Sequence, residues 1–262
     1  MSTRISDTWE RGDPYEQYVG RWSRQVAPRF LSWLAQPAGC RWLDVGCGTG
    51  ALSAAILEHC APAAVTGVEP SDGFLASARQ NLAGRAALQK GAADSLPLAD
   101  ASVDVVVSGL VLNFVPDPGA ALREMRRVAR GGGRIAAYVW DYAGKMELMR
   151  NFWDVAVELD ASAARLDEGK RFPLCHPDAL LQAFASAGLG GAEVTSIDIS
   201  TRFASFEDYW QPFLGGQGPA PAYAMSLEES QRARLRERLR ERLPRNSGNS
   251  ITLVARAWAV KA

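Results

Sequence analysis

The chain has 262 residues, and its 29 lysines and arginines balance its 29 aspartates and glutamates, so that the formal net charge is zero. A neutral chain has no bulk attraction for nucleic acid or for an anionic membrane, and any such binding has to be local. The length suits one substantial α/β domain with insertions, and a content of 47% apolar and 22% charged residues is ordinary for a globular protein.

The N-terminal segment and the cysteines favour a cytoplasmic protein. The first 22 residues contain no apolar run typical of a secretory signal, and no stretch approaches the ~20 apolar residues that a membrane span needs. Cys40, Cys47, Cys60 and Cys175 show neither a CxxC spacing nor a histidine at metal-ligand spacing. We therefore expect reduced thiols and no metal site.

An N-terminal helix is the first predicted element. In "DPYEQYVGRWSRQVAPRF", Tyr15, Tyr18, Arg21 and Trp22 recur at helical spacing, which is typical of an amphipathic helix packed by its aromatic side chains. We divide the chain into an N-terminal helical lid, residues 1–35, and a main domain, residues 36–262.

Between residues 41 and 140, short apolar runs alternate with helical patterns. The runs, which read as buried parallel strands, are 41–45, 63–69, 86–92, 103–109 and 134–140. Ser71 can cap one intervening helix, and Asp117 followed by Pro118 can start another, which we expect to end at Gly131, Gly132 and Gly133. This βαβ series predicts a doubly wound sheet.

The regularity weakens after Trp140. The predicted helices lie near 145–160, 177–187, 205–214 and 226–243, and the predicted strands at 192–200 and 250–260. The fold class is therefore α/β, with a Rossmann-like, mostly parallel seven-stranded sheet. We expect the segments of about 141–176 and 201–249 to be helical insertions that cover the ligand side of the sheet.

The stretch "RWLDVGCGTG" is the strongest indication of a binding site. Gly46, Gly48 and Gly50 lack a Cβ, can take positive φ, and let a ligand contact the backbone between the first strand and the next helix. The pattern also fits the loose dinucleotide fingerprint GxGxxG/A, and Glu69 at the end of the second strand can hold ribose hydroxyls in either case. This motif alone leaves a nicotinamide-dependent oxidoreductase open.

An acidic residue before the glycines and four motifs after them occur in order. Asp44 precedes the first glycine by two positions, as in DxGxGxG. Downstream, "GAADSLPLADASVDVVVSGLVLNFVPDPGAALREMRRVARGGGRIAAYVW" contains a "GDAxxLPF"-like segment, the strand "DVVVS", an "L(H/N)xVxDP" turn and a "PGG"-like turn. Over residues 40–140 the chain resembles class I S-adenosylmethionine-dependent methyltransferases, and within them the ubiquinone- and menaquinone-biosynthesis methyltransferases.

The resemblance implies roles for the residues that match the motifs. Asp44 and the backbone of Gly46 would bind the methionine amino group of S-adenosylmethionine. Cys47 and Gly48 would line the turn. Glu69 would accept hydrogen bonds from both ribose hydroxyls.

The remaining implied contacts surround the adenine and the methionine. Pro70 would flank the adenine, and Ala93 and Asp94 would meet its edge. Leu110 would lie where the backbone after the fourth strand meets the methionine moiety. The family often has aspartate where this chain has Ala92, so a contact with the adenine amine is lost or taken over by Asp94.

In related enzymes, a segment like the N-terminal helix folds over the cofactor. The resemblance therefore implies that Arg21 pairs with the methionine carboxylate, because a carboxylate held away from water requires a cation. Tyr18 would lie near the sulfonium. Packing of the helix on the sheet by its aromatics is the alternative.

The expected activity is methyl transfer to a small-molecule acceptor by in-line displacement, which leaves S-adenosylhomocysteine and needs no acid for the leaving group. We assign no catalytic base: His59 and His176 are expected to be structural, and Asp141 and Tyr142 to contact the acceptor at most. The aromatic residues of the insertions suggest an apolar or aromatic acceptor.

Two other functions remain as alternatives. The arginines between Arg232 and Arg245 suggest RNA binding or RNA methylation, although Leu235, Leu239 and Leu243 favour a surface helix with one apolar stripe. A protein that binds the cofactor without catalysis is also possible from the motifs. The sequence does not indicate an oligomeric state.

Overall fold

The computed structural model describes residues 19–215, 218–246 and 248–262. Seven strands within these residues form one sheet. They are β1 Arg41–Val45, β2 Ala64–Glu69, β3 Ala87–Lys90, β4 Val103–Gly109, β5 Ala129–Trp140, β6 Glu193–Phe203 and β7 Ile251–Lys261. The sheet order is β3-β2-β1-β4-β5-β7-β6. Strands β1 to β5 pair in parallel and β7 runs antiparallel to β5, which confirms the predicted doubly wound sheet.

Helices follow the strands along the chain. They are α1 Arg21–Leu34, α2 Ala51–His59, α3 Asp72–Leu82, α4 Pro118–Val128, α5 Glu147–Leu159, α6 Glu168–Arg171, α7 Pro177–Ser186, α8 Phe206–Trp210, α9 Pro219–Ser226 and α10 Glu229–Arg242. Short 3-10 turns occupy Leu112–Phe114, Ala161–Arg165, Pro173–Cys175 and Gln211–Gly215. The sequence analysis missed α9 and began α10 three residues early, since two prolines obscure the start of α9.

The two predicted helix caps are confirmed. The Ser71 hydroxyl accepts a hydrogen bond from the Phe74 N–H at 3.3 Å, and the Asp117 carboxylate accepts one from the Ala120 N–H at 2.8 Å. Each cap satisfies a backbone donor that the first helical turn leaves without a partner. Helix α4 buries one face, which consists of Ala121, Leu122, Met125 and Val128.

The predicted end of α4 at the glycine triplet is wrong. The helix ends at Val128, and β5 begins at Ala129, before the glycines. The pairing of β5 with β4 shifts register between Val103 and Val105. Gly132 has a φ of 73°, and a Cβ on Gly133 would lie 2.9 Å from the Asp104 carbonyl oxygen. The triplet therefore forms an irregularity inside the strand.

The chain divides into two compact units. The first, here the sheet unit, comprises Trp22–Trp140, Pro173–Ile197 and Ala257–Ala262. The second, here the aromatic unit, comprises the described residues up to Arg21 together with Asp141–Phe172 and Asp198–Arg256. Strands β6 and β7 contribute residues to both units. The core of the sheet unit joins strands β1, β2, β4 and β5 to helices α4 and α7.

Aromatic rings form the core of the aromatic unit. Phe152 stacks on Phe213 with ring centroids 4.6 Å apart, and the buried Tyr209 hydroxyl donates a hydrogen bond to the Leu148 carbonyl oxygen at 2.9 Å. Burial raises the pKa of Tyr209 far above its ordinary value. Most aromatic side chains that suggested an aromatic acceptor are thus buried against one another. Their packing accounts for their density.

The arginine-rich helix α10 carries the predicted apolar stripe. Leu235, Leu239 and the adjoining Leu243 are buried. Arg236 and Arg240 form ion pairs with Glu207 at 2.7 and 2.9 Å. The surface-helix interpretation is confirmed. In the part of the chain that the structure describes, no helix is both long and apolar enough to span a membrane.

Candidate functional site

The turn after β1 brings three glycines into left-handed backbone. Gly46, Gly48 and Gly50 have φ values of 72°, 55° and 88°. A Cβ on Gly46 would lie 2.6 Å from a Val111 methyl carbon, so that only glycine fits there. A Cβ on Gly48 would have no atom within 4 Å. The turn therefore packs against the segment after β4 at Gly46 and is open at Gly48.

Cys47 is a buried residue of this turn. Its N–H donates a hydrogen bond to the Val68 carbonyl oxygen at 3.1 Å, which ties the turn to β2. Burial raises the pKa of the Cys47 thiol far above its ordinary value, and the nearby carboxylates of Asp44 and Glu69 raise it further. The thiol stays protonated, so Cys47 packs as a small apolar side chain and is not a nucleophile.

Asp44 holds a buried oxygen without a partner. The residue is 1% exposed, and its Oδ2 accepts a hydrogen bond from the Ser53 hydroxyl at 2.7 Å. Its Oδ1 has no hydrogen-bond partner among the residues that the structure describes. Burial raises the pKa of Asp44 to about 7, against the hydrogen bonds from Ser53, and the charge of Glu69 adds to the rise. A ligand with a positively charged N–H group would satisfy this oxygen.

Glu69 is the second buried carboxylate at the glycine turn. The residue is 7% exposed. Its Oε2 accepts a hydrogen bond from the Gly48 N–H at 3.1 Å, and its Oε1 accepts one from the Ser71 N–H at 3.0 Å. Burial raises the pKa of Glu69, and the two backbone bonds partly offset this rise. Each carboxylate oxygen retains a lone pair, so that the carboxylate can accept two further hydrogen bonds from a ligand.

The segment after β4 is strained. Leu110 has a φ of 65°, a left-handed conformation that is costly for a residue with a Cβ, and its N–H donates a hydrogen bond to the Tyr138 carbonyl oxygen at 2.7 Å. Strain of this kind persists where the surrounding structure enforces it and is frequent at binding sites. Three residues later, the buried Asn113 Oδ1 also has no partner in the described part of the chain.

The loop after β3 is joined to Glu69 through its backbone. The Gly91 N–H donates a hydrogen bond to the Glu69 carbonyl oxygen at 3.3 Å. A tight turn follows, in which the Ser95 N–H donates to the Ala92 carbonyl oxygen at 3.2 Å. Within this turn Ala93 is half-buried and Asp94 is exposed. Pro70 is also exposed, directly after Glu69.

The structure thus brings together most of the predicted site residues. Direct contacts link the β1 turn to Glu69 and to the segment after β4, and they link Glu69 to the loop after β3. The sequence analysis missed Ser53 and Asn113. The motif that we quoted already has asparagine or histidine at position 113, whereas no sequence signal marks Ser53 as the partner of Asp44.

Two residues of the predicted site belong to the N-terminal segment. Tyr18 lies outside the described residues. Arg21 belongs to the aromatic unit, where its Nη1 donates to the Asp208 carboxylate at 3.0 Å and its guanidinium lies 4.9 Å from the centroid of the Phe203 ring. Its pairing with a methionine carboxylate stays a prediction.

Four further residues were considered as catalytic bases or acceptor contacts, and their surroundings are as follows. His59 is exposed in the last turn of α2, at the opposite end of that helix from the glycine turn. His176 is exposed at the N-cap of α7, without a side-chain capping bond. In the aromatic unit, the Asp141 carboxylate accepts a hydrogen bond from the Lys145 N–H at 2.9 Å, and the Tyr142 ring packs against Phe172.

Comparison with known proteins identifies the family. The family model described as "Methyltransferase domain" matches residues 43–137. Malonyl-[acyl-carrier protein] O-methyltransferase of Dechloromonas aromatica is 30% identical over 206 residues, which cover 79% of this chain and 72% of the relative. Demethylmenaquinone methyltransferase of Roseiflexus castenholzii is 38% identical over 105 residues, 39% of this chain and 44% of the relative.

A solved structure shares the fold. The phosphoethanolamine N-methyltransferase 2 of Haemonchus contortus, solved with phosphomonomethylethanolamine and S-adenosylhomocysteine, has a TM-score of 0.58 and 14% identity. The match covers 95% of this chain and 56% of the solved chain. Together with the family model and the relatives, the glycine turn and its two buried carboxylates lead to one conclusion. The chain belongs to the class I S-adenosylmethionine-dependent methyltransferases.

Proposed function

We propose that this protein binds S-adenosylmethionine at the carboxyl ends of β1, β2 and β4 and transfers its methyl group to a small-molecule acceptor. The observation that carries the proposal is the Asp44 Oδ1, which is buried and has no partner in the described chain. The amino group of the methionine moiety is a positively charged donor. It supplies the hydrogen bond and the counter-charge that this oxygen requires.

The other residues of the site fit the rest of the cofactor. Glu69 has two oxygens with a free lone pair each, as the vicinal ribose hydroxyls require, and the missing side chain at Gly48 lets a ligand reach the backbone. We propose that Pro70, Ala93 and Asp94 surround the adenine. Cys47 and Gly46 line the turn, and Leu110 contacts the methionine moiety through its backbone.

Two further contacts are proposed from the resemblance. Arg21 would pair with the methionine carboxylate and Tyr18 would lie near the sulfonium. Arg21 already pairs with the carboxylate of Asp208, and this supports its capacity for such a partner.

The chemistry demands little of the protein beyond binding. When bound, the cofactor supplies a methyl group on a sulfonium, from which an in-line nucleophile displaces a neutral thioether. Asp44 orients the methionine end of the cofactor, and Glu69 orients its ribose. A base is needed only for an acceptor that must lose a proton, and we assign none.

For the acceptor we retain a small apolar or aromatic molecule as the finer proposal. The rings of the aromatic unit no longer support this proposal, since they pack mostly against one another. Its support is the similarity to the demethylmenaquinone methyltransferase. The other relative is named for a malonyl group on an acyl-carrier protein. A panel of quinols and of malonyl thioesters, assayed with radiolabelled methyl donor, separates these two chemistries.

The location of the protein and the kind of molecule on which it acts are also part of the proposal. We propose that the protein acts in the cytoplasm on a small molecule and not on nucleic acid. Its four cysteines are free, and three of them are buried.

A thermal-shift titration tests the cofactor assignment. A ligand that binds only the folded state raises the melting temperature, so S-adenosylhomocysteine should raise it and NAD should not. Asp44→Ala and Glu69→Ala should abolish the shift. Asp72→Ala is the control, since Asp72 is an exposed aspartate whose carboxylate pairs with Lys90. A shift with NAD, or salt-sensitive RNA binding in its place, would overturn the proposal.

A further inference from the structure

Two charged side chains on α4 hold the loop between β3 and β4. The Glu124 Oε2 accepts a hydrogen bond from the Leu96 N–H at 2.9 Å. The Arg127 guanidinium donates to the carbonyl oxygens of Leu96 at 3.0 Å and Leu98 at 2.9 Å, and to the Asp100 carboxylate at 2.6 Å. One helix thus supplies a donor and an acceptor to three residues of a loop that has no regular structure of its own.

Arg127 uses its whole guanidinium in these contacts. Its Nε and Nη2 donate to the two oxygens of Glu124, each at 2.7 Å, in addition to the three bonds to the loop. These are five hydrogen bonds for the five N–H donors of an arginine. Lysine, with three donors and no planar fork, cannot reproduce this arrangement.

Charge fixes the pair in its ionised form. The hydrogen bonds from Arg127 hold the pKa of Glu124 below its ordinary value, and the bonds to Glu124 and Asp100 raise the pKa of Arg127. Both groups therefore stay charged at neutral pH, and their contacts with the loop persist. Neither side chain is deeply buried, with 21% of Glu124 and 32% of Arg127 exposed.

The anchored residues adjoin the turn that carries Ala93 and Asp94. Leu96 is buried in the core of the sheet unit and directly follows Ser95, whose N–H closes that turn. A Cβ on Gly91 would lie 2.9 Å from Pro97, so the start of the loop packs against its middle. The position of the turn is thus set by the residues to which Glu124 and Arg127 bind.

We propose that Glu124 and Arg127 are positioning residues for adenine recognition: by fixing the loop 92–100, they set the selectivity of the cofactor site for the 6-amino group of adenine. This inference rests on the proposed function. Neither residue touches the ligand. They act by removing freedom from the loop, so that the turn 92–95 is ordered before binding.

The test compares two ligands that differ at one position of the base. Affinities of S-adenosylhomocysteine and S-inosylhomocysteine, which has oxygen in place of the 6-amino group, are measured by calorimetry. In the unchanged protein we expect the adenosyl compound to bind at least about tenfold tighter. Arg127→Ala should bring the ratio of the two affinities close to one, and Arg127→Lys and Glu124→Gln should lower it partly. Arg123→Ala, the same change one turn earlier on α4, should leave the ratio unchanged.

A purely structural role would weaken both ligands equally and would leave the ratio as it is, which overturns the inference. If Arg127→Ala does not fold, the ratio in Arg127→Lys and Glu124→Gln decides. An unchanged protein that binds both ligands equally well also contradicts the inference, while the proposed function stands. An unchanged protein that binds neither ligand contradicts the proposed function itself.

Discussion

Asp44 combines a proposed binding role with a cost to the folded state. Its carboxylate is buried, only one of its oxygens has a partner in the described chain, and its pKa rises to about 7. A charge held in this way opposes folding until a ligand compensates it. The residue that we propose to bind the cationic amino group of the cofactor is therefore also a residue that weakens the protein without its cofactor.

Asp44→Asn should stabilise the cofactor-free protein in a pH-dependent way. Asp44 is protonated in the folded state up to a pH of about 7, whereas in the unfolded chain it loses its proton near pH 4. The stability that its proton uptake contributes is fully present below about pH 4 and is lost as the pH rises through 7. Asparagine avoids this loss, so the variant should melt several degrees above the unchanged protein at pH 8.

Circular dichroism melts at pH 5, 6.5 and 8 measure this gap. It should narrow towards pH 5, because Asp44 is then neutral as well. The exposed Asp72→Asn serves as control and should show no pH-dependent gap. A gap of the same size at all three pH values would show that Asp44 is ionised throughout.

Among the elements, the turn between β1 and α2 depends most on glycine. Gly46 and Gly48 both have positive φ, so that alanine at either position costs on the order of 1 kcal/mol in backbone strain. The two differ in their surroundings. A Cβ on Gly46 meets Val111, and a Cβ on Gly48 meets no protein atom within 4 Å.

Gly46→Ala should therefore lose more stability than Gly48→Ala, by a further ~1–3 kcal/mol from the collision. Gly48→Ala should lose only the strain energy, but it should also lose S-adenosylhomocysteine affinity. Gly84→Ala is the matched control, since Gly84 has a φ of 77° and open space around its Cβ in the loop after α3. Urea unfolding and calorimetry on the three variants measure both effects. Equal affinity in Gly48→Ala and Gly84→Ala would show that the ligand does not approach this turn.

Across the chain, the cofactor should protect a small set of backbone segments. Apart from Tyr18 and Arg21, the residues that we propose for the site lie in four stretches of the sheet unit, namely 44–50, 69–71, 92–96 and 110–113. Hydrogen exchange with and without S-adenosylhomocysteine should slow at these stretches, because bound ligand stabilises the closed backbone. Helix α10 serves as internal reference and should be unaffected. Protection confined to other stretches of the sheet unit would contradict the assignment.

The sequence predicts the parts of this fold that depend on local patterns. The strand periodicity, the caps at Ser71 and Asp117 and the glycine turn were predicted because each depends on neighbours in the chain. The glycine triplet was misassigned, since a shift in pairing with β4 decides its conformation. Ser53 as partner of Asp44, and Arg127 as partner of the loop, depend on contacts between distant residues, which no local pattern encodes.

The aromatic residues of the two insertions show that composition alone can also predict a site that the packing does not support. Their number predicted a ligand surface, but composition does not state what a ring packs against. In the aromatic unit, stacking such as that of Phe152 on Phe213 fills the core. A count of aromatic residues therefore indicates a binding site only after the packing of the unit is known.

The left-handed backbone of Leu110 sets thermal stability against catalytic turnover. Glycine at this position would relax the backbone, and a laboratory search for heat-resistant variants should find that replacement early. The same replacement would loosen the main chain that we propose to contact the methionine moiety, so that catalytic turnover should decline as heat tolerance improves. A variant intended to combine thermal stability with activity should therefore keep Leu110 and carry its stabilising substitutions on the surface of the aromatic unit.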